Sequence, residues 1–313
     1  MNILAIESSC DETAVAIVRD GREVLTDCIA SQVALHREYG GVVPEIASRK
    51  HIEAIYPLAD QALKEAGLTR TDIDAVAVTY APGLIGAVLV GVNFAKAAAM
   101  ALKKPLIPVH HIRGHIAANY LAYPELEPPF LCLVVSGGHT MIIEVKDYTD
   151  MRILGTTLDD AAGECFDKVG RVLGMPYPGG AALDKAAQQG DETKYPLPVA
   201  KSGENPYNMS FSGLKTATLN LIHHAQQVGE ELDIPSLCAS FTAAVSETLV
   251  PRVVRALEET GYRKVAVAGG VAANSRIRHD ILEAAKKLDA EVYMPPLKLC
   301  GDNGAMIGSQ AYY

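Results

Sequence analysis

The 313-residue sequence predicts an α/β protein of two similar domains, each with a mixed sheet, arranged around a central cleft. Two internal echoes and one break in composition predict it. Residues 2–18 and 131–145 each read as strand, short polar turn, strand; this is the pattern of a β-hairpin, and one more apparent strand follows each. Residues 75–109 and 264–294 each read as strand, glycine-bearing turn, helix, strand, a β–α–β unit that implies parallel pairing. The break is YPELEPP at residues 123–129, proline-rich and acidic as linkers are. It divides the chain into domains 1–128 and 129–313, with the C-terminal helix able to pack back onto the first.

In the first domain, NILAIE (2–7) and TAVAIV (13–18) flank the turn SSCDE, and REVLTDCIAS (22–31) supplies a third strand. PEIASRKHIEAIYPLADQALKEAG spaces its apolar residues as an amphipathic helix does, from Pro44 to just before Gly67; Pro57 is expected to kink or divide it. AVAVT, the turn APGLIG, the helix AVLVGVNFAKAAAMAL and the strand LIPV complete the domain. In the second, LCLVVS, GGH and TMIIEV form the hairpin and DMRILGTTL the third strand. KVAVA, GGVAAN, SRIRHDILEAAKKL and EVYM form the β–α–β unit. Between Gly190 and Lys215 the chain turns proline-rich and polar, which predicts a surface excursion.

Composition narrows the function classes. Hydrophobic residues make up 49% of the chain, ample for substantial cores, and the formal net charge of −9 argues against a free-standing nucleic-acid binder. Six cysteines without a C-x-x-C pair read as reduced thiols of a cytosolic protein. The N-terminal apolar run has no basic residues before it and carries Glu7, Asp11 and Glu12, so no signal peptide is expected. Nor is any stretch expected to be long enough to span a membrane, and the protein is expected to be cytoplasmic.

The candidate chemistry lies in turns and in one helix. VVSGGHT and AVAGGVAAN are glycine turns after strands, read either as tight turns or as backbone cradles for an anion and a flat ring; Asn274 can cap the following helix. No P-loop and no G-x-G-x-x-G is present. Strand–turn–strand loops on a duplicated chain point instead to the actin-like fold of sugar kinases and Hsp70, with a nucleotide as the candidate ligand. In HHIRGH, His111 and His115 stand four apart, on one face of a helix. The zinc-protease motif H-E-x-x-H needs a glutamate where Ile112 stands, so the clamp survives without the general base. Asp302 in CGDNGAM is a candidate third ligand; His/His/Asp with open positions suits catalytic Fe(II) or Zn(II). Asp11 and Glu12 are either a solvated turn or, in Asp11, a group that helps with proton transfer or metal hydration. Cys10 reads as structural, and Ser136 with His139 makes no hydrolase dyad. Asp167, Gly180 and Asp184, in DDAAGECFDKVGRVLG and YPGGAALDKAA, are exposed helical positions or ligand contacts.

Ten stretches in order, IESSCDETA, GGVVPEIASR, APGLIGAVLVG, PVHHIRGHIAA, VVSGGHT, DDAAGECFDK, YPGG, SFSGLKT, AGGVAAN and CGDNGAM, together resemble TsaD, the tRNA N6-adenosine threonylcarbamoyltransferase family. The resemblance spans essentially the whole chain. It implies transfer of the threonylcarbamoyl group of L-threonylcarbamoyladenylate to the N6 amine of the adenosine 3′ of the anticodon, in tRNAs that read codons beginning with A, with AMP released. It implies one divalent metal per subunit, Fe(II) with Zn(II) as the alternative, on His111, His115 and Asp302. Substrate contacts fall on Val134, Val135, Ser136, Gly137, Gly138, Asp167, Gly180, Asp184 and Asn274, and Asp11 is the candidate for proton handling. The implied partners are an inactive paralogue, TsaB, and a small ATPase, TsaE; basic side chains within residues 194–215 are candidates for a composite tRNA surface. An ATP-dependent kinase of the same fold is the rival reading, and a non-catalytic scaffold of the same complex is another.

Overall fold

The computed structural model describes residues 1–201 and 203–313; Ser202, within the predicted excursion, lies outside them. The chain forms two compact units, residues 1–127 with 295–313, and residues 128–294. Residues 295–313 thus group with the first unit; the sequence division ran the second domain to residue 313 and left its last helix able to pack back.

The first unit holds β1 (Asn2–Glu7), β2 (Glu12–Arg19), β3 (Glu23–Ser31), α1 (Val33–Arg37), α2 (Pro44–Glu65), β4 (Ala75–Ala81), α3 (Ile85–Leu102), β5 (Leu106–His110) and α4 (His111–Ala122). The second holds β6 (Phe130–Val135), β7 (Thr140–Val145), β8 (Met151–Thr156), α5 (Ala162–Val172), α6 (Gly179–Ala187), α7 (Ser212–Val228), α8 (Ile234–Thr260), β9 (Lys264–Ala268), α9 (Ser275–Lys287) and β10 (Glu291–Tyr293). Helix α10 (Gly304–Tyr312) returns to the first unit.

The two sheets repeat one topology, β3-β2-β1-β4-β5 and β10-β9-β6-β7-β8. In each, a hairpin and its third strand pair antiparallel, and the β–α–β strands add in parallel beside the first strand. Strands β1, β2 and β6 are near-continuous apolar runs because helices cover both faces.

In the first unit, one face of the sheet (Leu4, Ile6, Val15, Ile17, Val76 and Val78) packs on α2 and α3. The other (Ile3, Ala5, Ala75 and Ala77) packs on α4 and α10. Arg22 pins the C-terminal end of this second layer. Its guanidinium donates to the Tyr313 hydroxyl at 2.6 Å and to the backbone carbonyls of Tyr120, Tyr123 and Leu126 at 3.2–3.3 Å.

Three expectations are corrected. Of the two outcomes expected at Pro57, division is ruled out, since α2 runs unbroken for 22 residues. The carbonyl left without its donor is that of Glu53, on the exposed face where water satisfies it, while Ile55, Leu58 and Ala59 hold the helix on the sheet. The excursion ends in core, since Met209 and Phe211 are buried. Met209 N donates to the Thr156 carbonyl and the Met209 carbonyl accepts from Leu158 N, which prolongs the β8 edge there.

The third concerns membrane spans. Among the described residues, α3 and α8 are long and apolar enough by length and composition to cross a membrane. In α8 that apolarity serves packing, with 78% of the apolar window buried. In α3 the sheet takes Ala87, Val88, Gly91, Ala95 and Ala99, while Ile85, Leu89 and Met100 stay exposed.

Candidate functional site

Strand β5 ends at His110 and the chain turns directly into α4, so His111 opens the helix and His115 lies one turn on. Both imidazoles are buried and meet edge to face, with centroids 4.6 Å apart. Opposite them stands Asp302, in the turn before α10.

Close helix packing brings that turn here. A Cβ on Gly114 would lie 2.7 Å from Ile307 Cδ1 of α10, and one on Gly304 would lie 2.7 Å from the backbone N of Ala16 in β2. At Gly304 the obstacle is backbone, so only a glycine allows α10 to settle so closely on the sheet; at Gly114 it is the movable end of the Ile307 side chain. The fully buried Asn303 caps α10 by accepting from Met306 N at 2.8 Å, and Asp27 of β3 accepts from Gly304 N at 3.0 Å.

The result is Asp302 Oδ1 at 3.2 Å from His115 Nε2 and 3.5 Å from His111 Nε2. One ligand atom from each residue lies within 4.8 Å of the others. Neither nitrogen of His115 has a hydrogen-bond partner, although the side chain is 1% exposed. Buried polar atoms are rarely left so, and the three side chains offer a donor set that could hold a divalent cation.

The neighbouring carboxylates point the same way. Burial pushes the Glu12 carboxyl up to about 9, with the Asp11 and Asp302 carboxylates adding to the effect. Burial also pushes up the Cys10 thiol, which keeps it protonated and supports its structural reading. A cation would relieve this crowding of acids. Asp11, 6% exposed, sits in the β1–β2 turn; its backbone carbonyl accepts from Gln32 N at 3.0 Å.

That turn is itself pinned from two helices. His51 of α2 donates from Nε2 to the Cys10 carbonyl at 2.9 Å and accepts from the Thr13 hydroxyl at 2.8 Å; burial keeps it neutral. Ser8 donates to the Ala87 carbonyl of α3, and Leu84 N donates to the Ser9 carbonyl. Glu7, His51 and Thr13 are the residues sequence reasoning missed. The signal for Glu7 was present: a carboxylate closing an otherwise apolar strand, which burial makes costly unless it is paired.

The remaining predicted residues all lie in the second unit. Val134 and Val135 end β6 and are fully buried, so of these two only the backbone can reach a ligand. Ser136 closes a turn with His139, N to carbonyl at 2.8 Å, and accepts from His139 N on its own hydroxyl. Gly137 and Gly138 have open space where a side chain would be, at the N-terminal end of α5. Such a turn offers backbone N–H groups to an anion.

Asp167 on α5 accepts from Gly179 N at 2.8 Å, which ties α5 to the start of α6 beside Gly180. Asp184 on α6 accepts from Ser275 N and Oγ at the start of α9. Both are half-buried ties between helices rather than free exposed acids. Asn274 caps α9 through Ile277 N at 3.0 Å, as its position predicts.

Within the excursion, Lys194 is engaged by Asp233 and Lys215 by Asp160. That reduces what residues 194–215 can offer a polyanion.

A family model described as tRNA N6-adenosine threonylcarbamoyltransferase, TsaD, matches residues 23–309. A relative of that name from Moorella thermoacetica is 57% identical over 312 residues, covering 100% of this chain and 91% of its own length. One from Caldicellulosiruptor bescii is 52% identical over 313 residues, covering 100% and 93%. Among solved structures, T. kodakarensis HypF aligns with a TM-score of 0.68 at 16% identity, over 99% of this chain and 47% of its own. Component A of the Acidaminococcus fermentans (R)-2-hydroxyglutaryl-CoA dehydratase aligns at 0.56 and 15%, over 100% and 98%. The ROK hexokinase of Thermus thermophilus aligns at 0.51 and 15%, over 99% and 97%. These structural likenesses establish the duplicated actin-like fold.

Proposed function

The chain belongs to the tRNA N6-adenosine threonylcarbamoyltransferase family, an acyltransferase of tRNA modification, and we propose that His111, His115 and Asp302 form its reaction centre. The observation that carries this reading is the buried His115 imidazole, which has no hydrogen-bond partner and faces a second imidazole and a carboxylate. The donor set fits a divalent metal, Fe(II) or Zn(II).

The acyl donor of this reading is L-threonylcarbamoyladenylate, a mixed anhydride already activated for transfer. The N6 lone pair of adenosine forms a bond to the carbamoyl carbon. The bond from that carbon to the phosphate oxygen breaks, AMP leaves with the electron pair, and N6 loses a proton. Adenine's amine is a weak nucleophile because its lone pair is delocalised into the ring, so positioning and charge stabilisation matter more than a covalent nucleophile. A divalent cation on His111, His115 and Asp302 would supply Lewis-acid polarisation of the donor.

The chain's own groups do the rest. Backbone N–H groups at Gly137 and Gly138 steady the donor's phosphate or threonyl carboxylate, with Val134, Val135 and Ser136 shaping that turn. The family resemblance carries further substrate contacts to Asp167, Gly180, Asp184 and Asn274. Asp11 accepts the N6 proton, while the raised Glu12 carboxyl beside it keeps its own.

The partners in this reading are an inactive paralogue, TsaB, and an ATPase, TsaE, in the cytoplasm where tRNA is modified. Helices α2 and α3 expose the apolar side chains Ile52, Tyr56, Ile85, Leu89 and Met100, which are candidates for contact with the paralogue.

The test is nucleoside mass spectrometry on unmodified tRNA incubated with the protein, both partners and synthetic threonylcarbamoyladenylate. Modified adenosine is expected with the unchanged chain, and a fall of about 100-fold or more is expected with His111→Ala. Undiminished transfer by a metal-free His111→Ala protein would remove the reaction centre from these residues. Failure of the unchanged, metal-loaded chain would favour a scaffold.

A further inference from the structure

We propose that Glu7 is the positioning residue of the metal centre: its buried carboxylate fixes which nitrogen of His111 faces Asp302. The inference rests on the metal-site reading above and adds a residue to it.

Glu7 ends β1, is fully buried, and is the only charged residue in the run NILAIE. An ionised carboxylate in such a place needs donors on both oxygens. Oε2 accepts from His111 Nδ1 at 2.9 Å and from the Thr79 hydroxyl at 2.5 Å; Oε1 accepts from the backbone N of Ser9 at 2.5 Å. Each donor comes from a different place: the end of the neighbouring parallel strand β4, the β1–β2 turn, and the first residue of α4. The carboxylate therefore cannot rotate away without breaking three bonds at once.

The consequence for His111 is a matter of proton bookkeeping. With Nδ1–H donating to Glu7, the neutral ring keeps its lone pair on Nε2, the atom 3.5 Å from Asp302 Oδ1. A carboxylate that accepts from the far nitrogen of a coordinating imidazole fixes the ring's tautomer and orientation and raises its basicity. His115 has no such partner on either nitrogen. The two imidazoles are thus unequal: one has its far nitrogen held by a carboxylate before any ion arrives, and the other has no hydrogen-bond partner.

Glu7→Gln keeps the shape but leaves one acceptor where there were two, so either Ser9 N or the His111–Thr79 pair loses its partner. Thr79→Val removes one donor and leaves the carboxylate in place, and it serves if Glu7→Gln fails to fold. The readout is affinity of the full chain for Zn(II), by competition with a chromophoric chelator, together with the visible absorption of the Co(II)-loaded protein. We expect Glu7→Gln to weaken Zn(II) about 10- to 100-fold and to shift the Co(II) bands, with a smaller loss in Thr79→Val. Zn(II) affinity and Co(II) bands equal to those of the unchanged chain in both variants would overturn the proposal. If the unchanged chain itself takes up neither ion, the failure lies with the His111–His115–Asp302 reading, and the role of Glu7 falls with it.

Discussion

His115 is held in a core position yet has no hydrogen-bond partner, a state that costs a polar group about 1–3 kcal/mol in a protein interior. On the proposed reading, ion binding offsets that cost, and one substitution separates the two effects. His115→Leu removes a ligand atom and at the same time removes the unsatisfied nitrogens while keeping most of the volume. Metal content measured by mass spectrometry should fall from about one ion per chain to a small fraction of that. Thermal unfolding of the metal-free variant should occur no lower than in the unchanged chain, and up to about 1–2 kcal/mol of stabilisation is expected. A metal-free variant that unfolds well below the unchanged chain would mean that His115 packs the core rather than binds an ion. Sequence spacing marks His115 as a candidate ligand, because residues four apart share a helix face. It does not reveal Glu7, whose role depends on three partners brought from other elements.

At the scale of elements, α7 is capped from a distance. Its N-cap residue, Phe211, has no side-chain acceptor, and Asp159 supplies one. That carboxylate accepts from Phe211 N at 2.8 Å, from Ser212 N at 3.1 Å, and from the hydroxyls of Ser210 and Ser212. Partial burial pushes the Asp159 carboxyl up, but these donors outweigh it and hold it below the usual carboxylate range. The unfolded chain therefore binds the proton more readily, and the contribution of the cap is complete above about pH 4 and is lost as pH falls through the lowered folded value. Asp159→Asn should cost about 1 kcal/mol near pH 7, with the difference from the unchanged chain shrinking below pH 4 in denaturant titrations. A constant difference down to pH 3 would assign the loss to geometry rather than charge. Among the elements, α8 escaped the sequence reading for a definite reason. It is buried around much of its circumference, so its residues lack the one-sided apolar stripe that marks a surface helix. The amphipathic α2 was legible, but its continuity through Pro57 was not, because that depends on which face meets water.

For the molecule as a whole, the net charge of −9 sets a limit on tRNA binding. Affinity for a polyphosphate comes largely from cations that displace its counterions. Here Lys194 and Lys215 are already paired with acids. The chain alone is expected to bind tRNA at about micromolar affinity or weaker, with a shallow dependence on salt. Adding the partner proteins should tighten binding at least about tenfold and steepen the salt dependence in a filter or fluorescence titration. Tight, steeply salt-dependent binding by the chain alone would place the tRNA surface on this protein. The duplicated strand order and the His111/His115 pair could be read from the sequence, because hairpins, β–α–β units and helix faces repeat over a few residues and follow from local periodicity. Placing Asp302 against those histidines was beyond periodicity. It required α10 to return to the first sheet, and that return depends on the missing side chain of Gly304 and on the hydrogen bonds from Asn303 and Asp27. Glu7 became legible for the same reason: a contact between residues distant in sequence is decided by close packing, which exists only once the chain has folded.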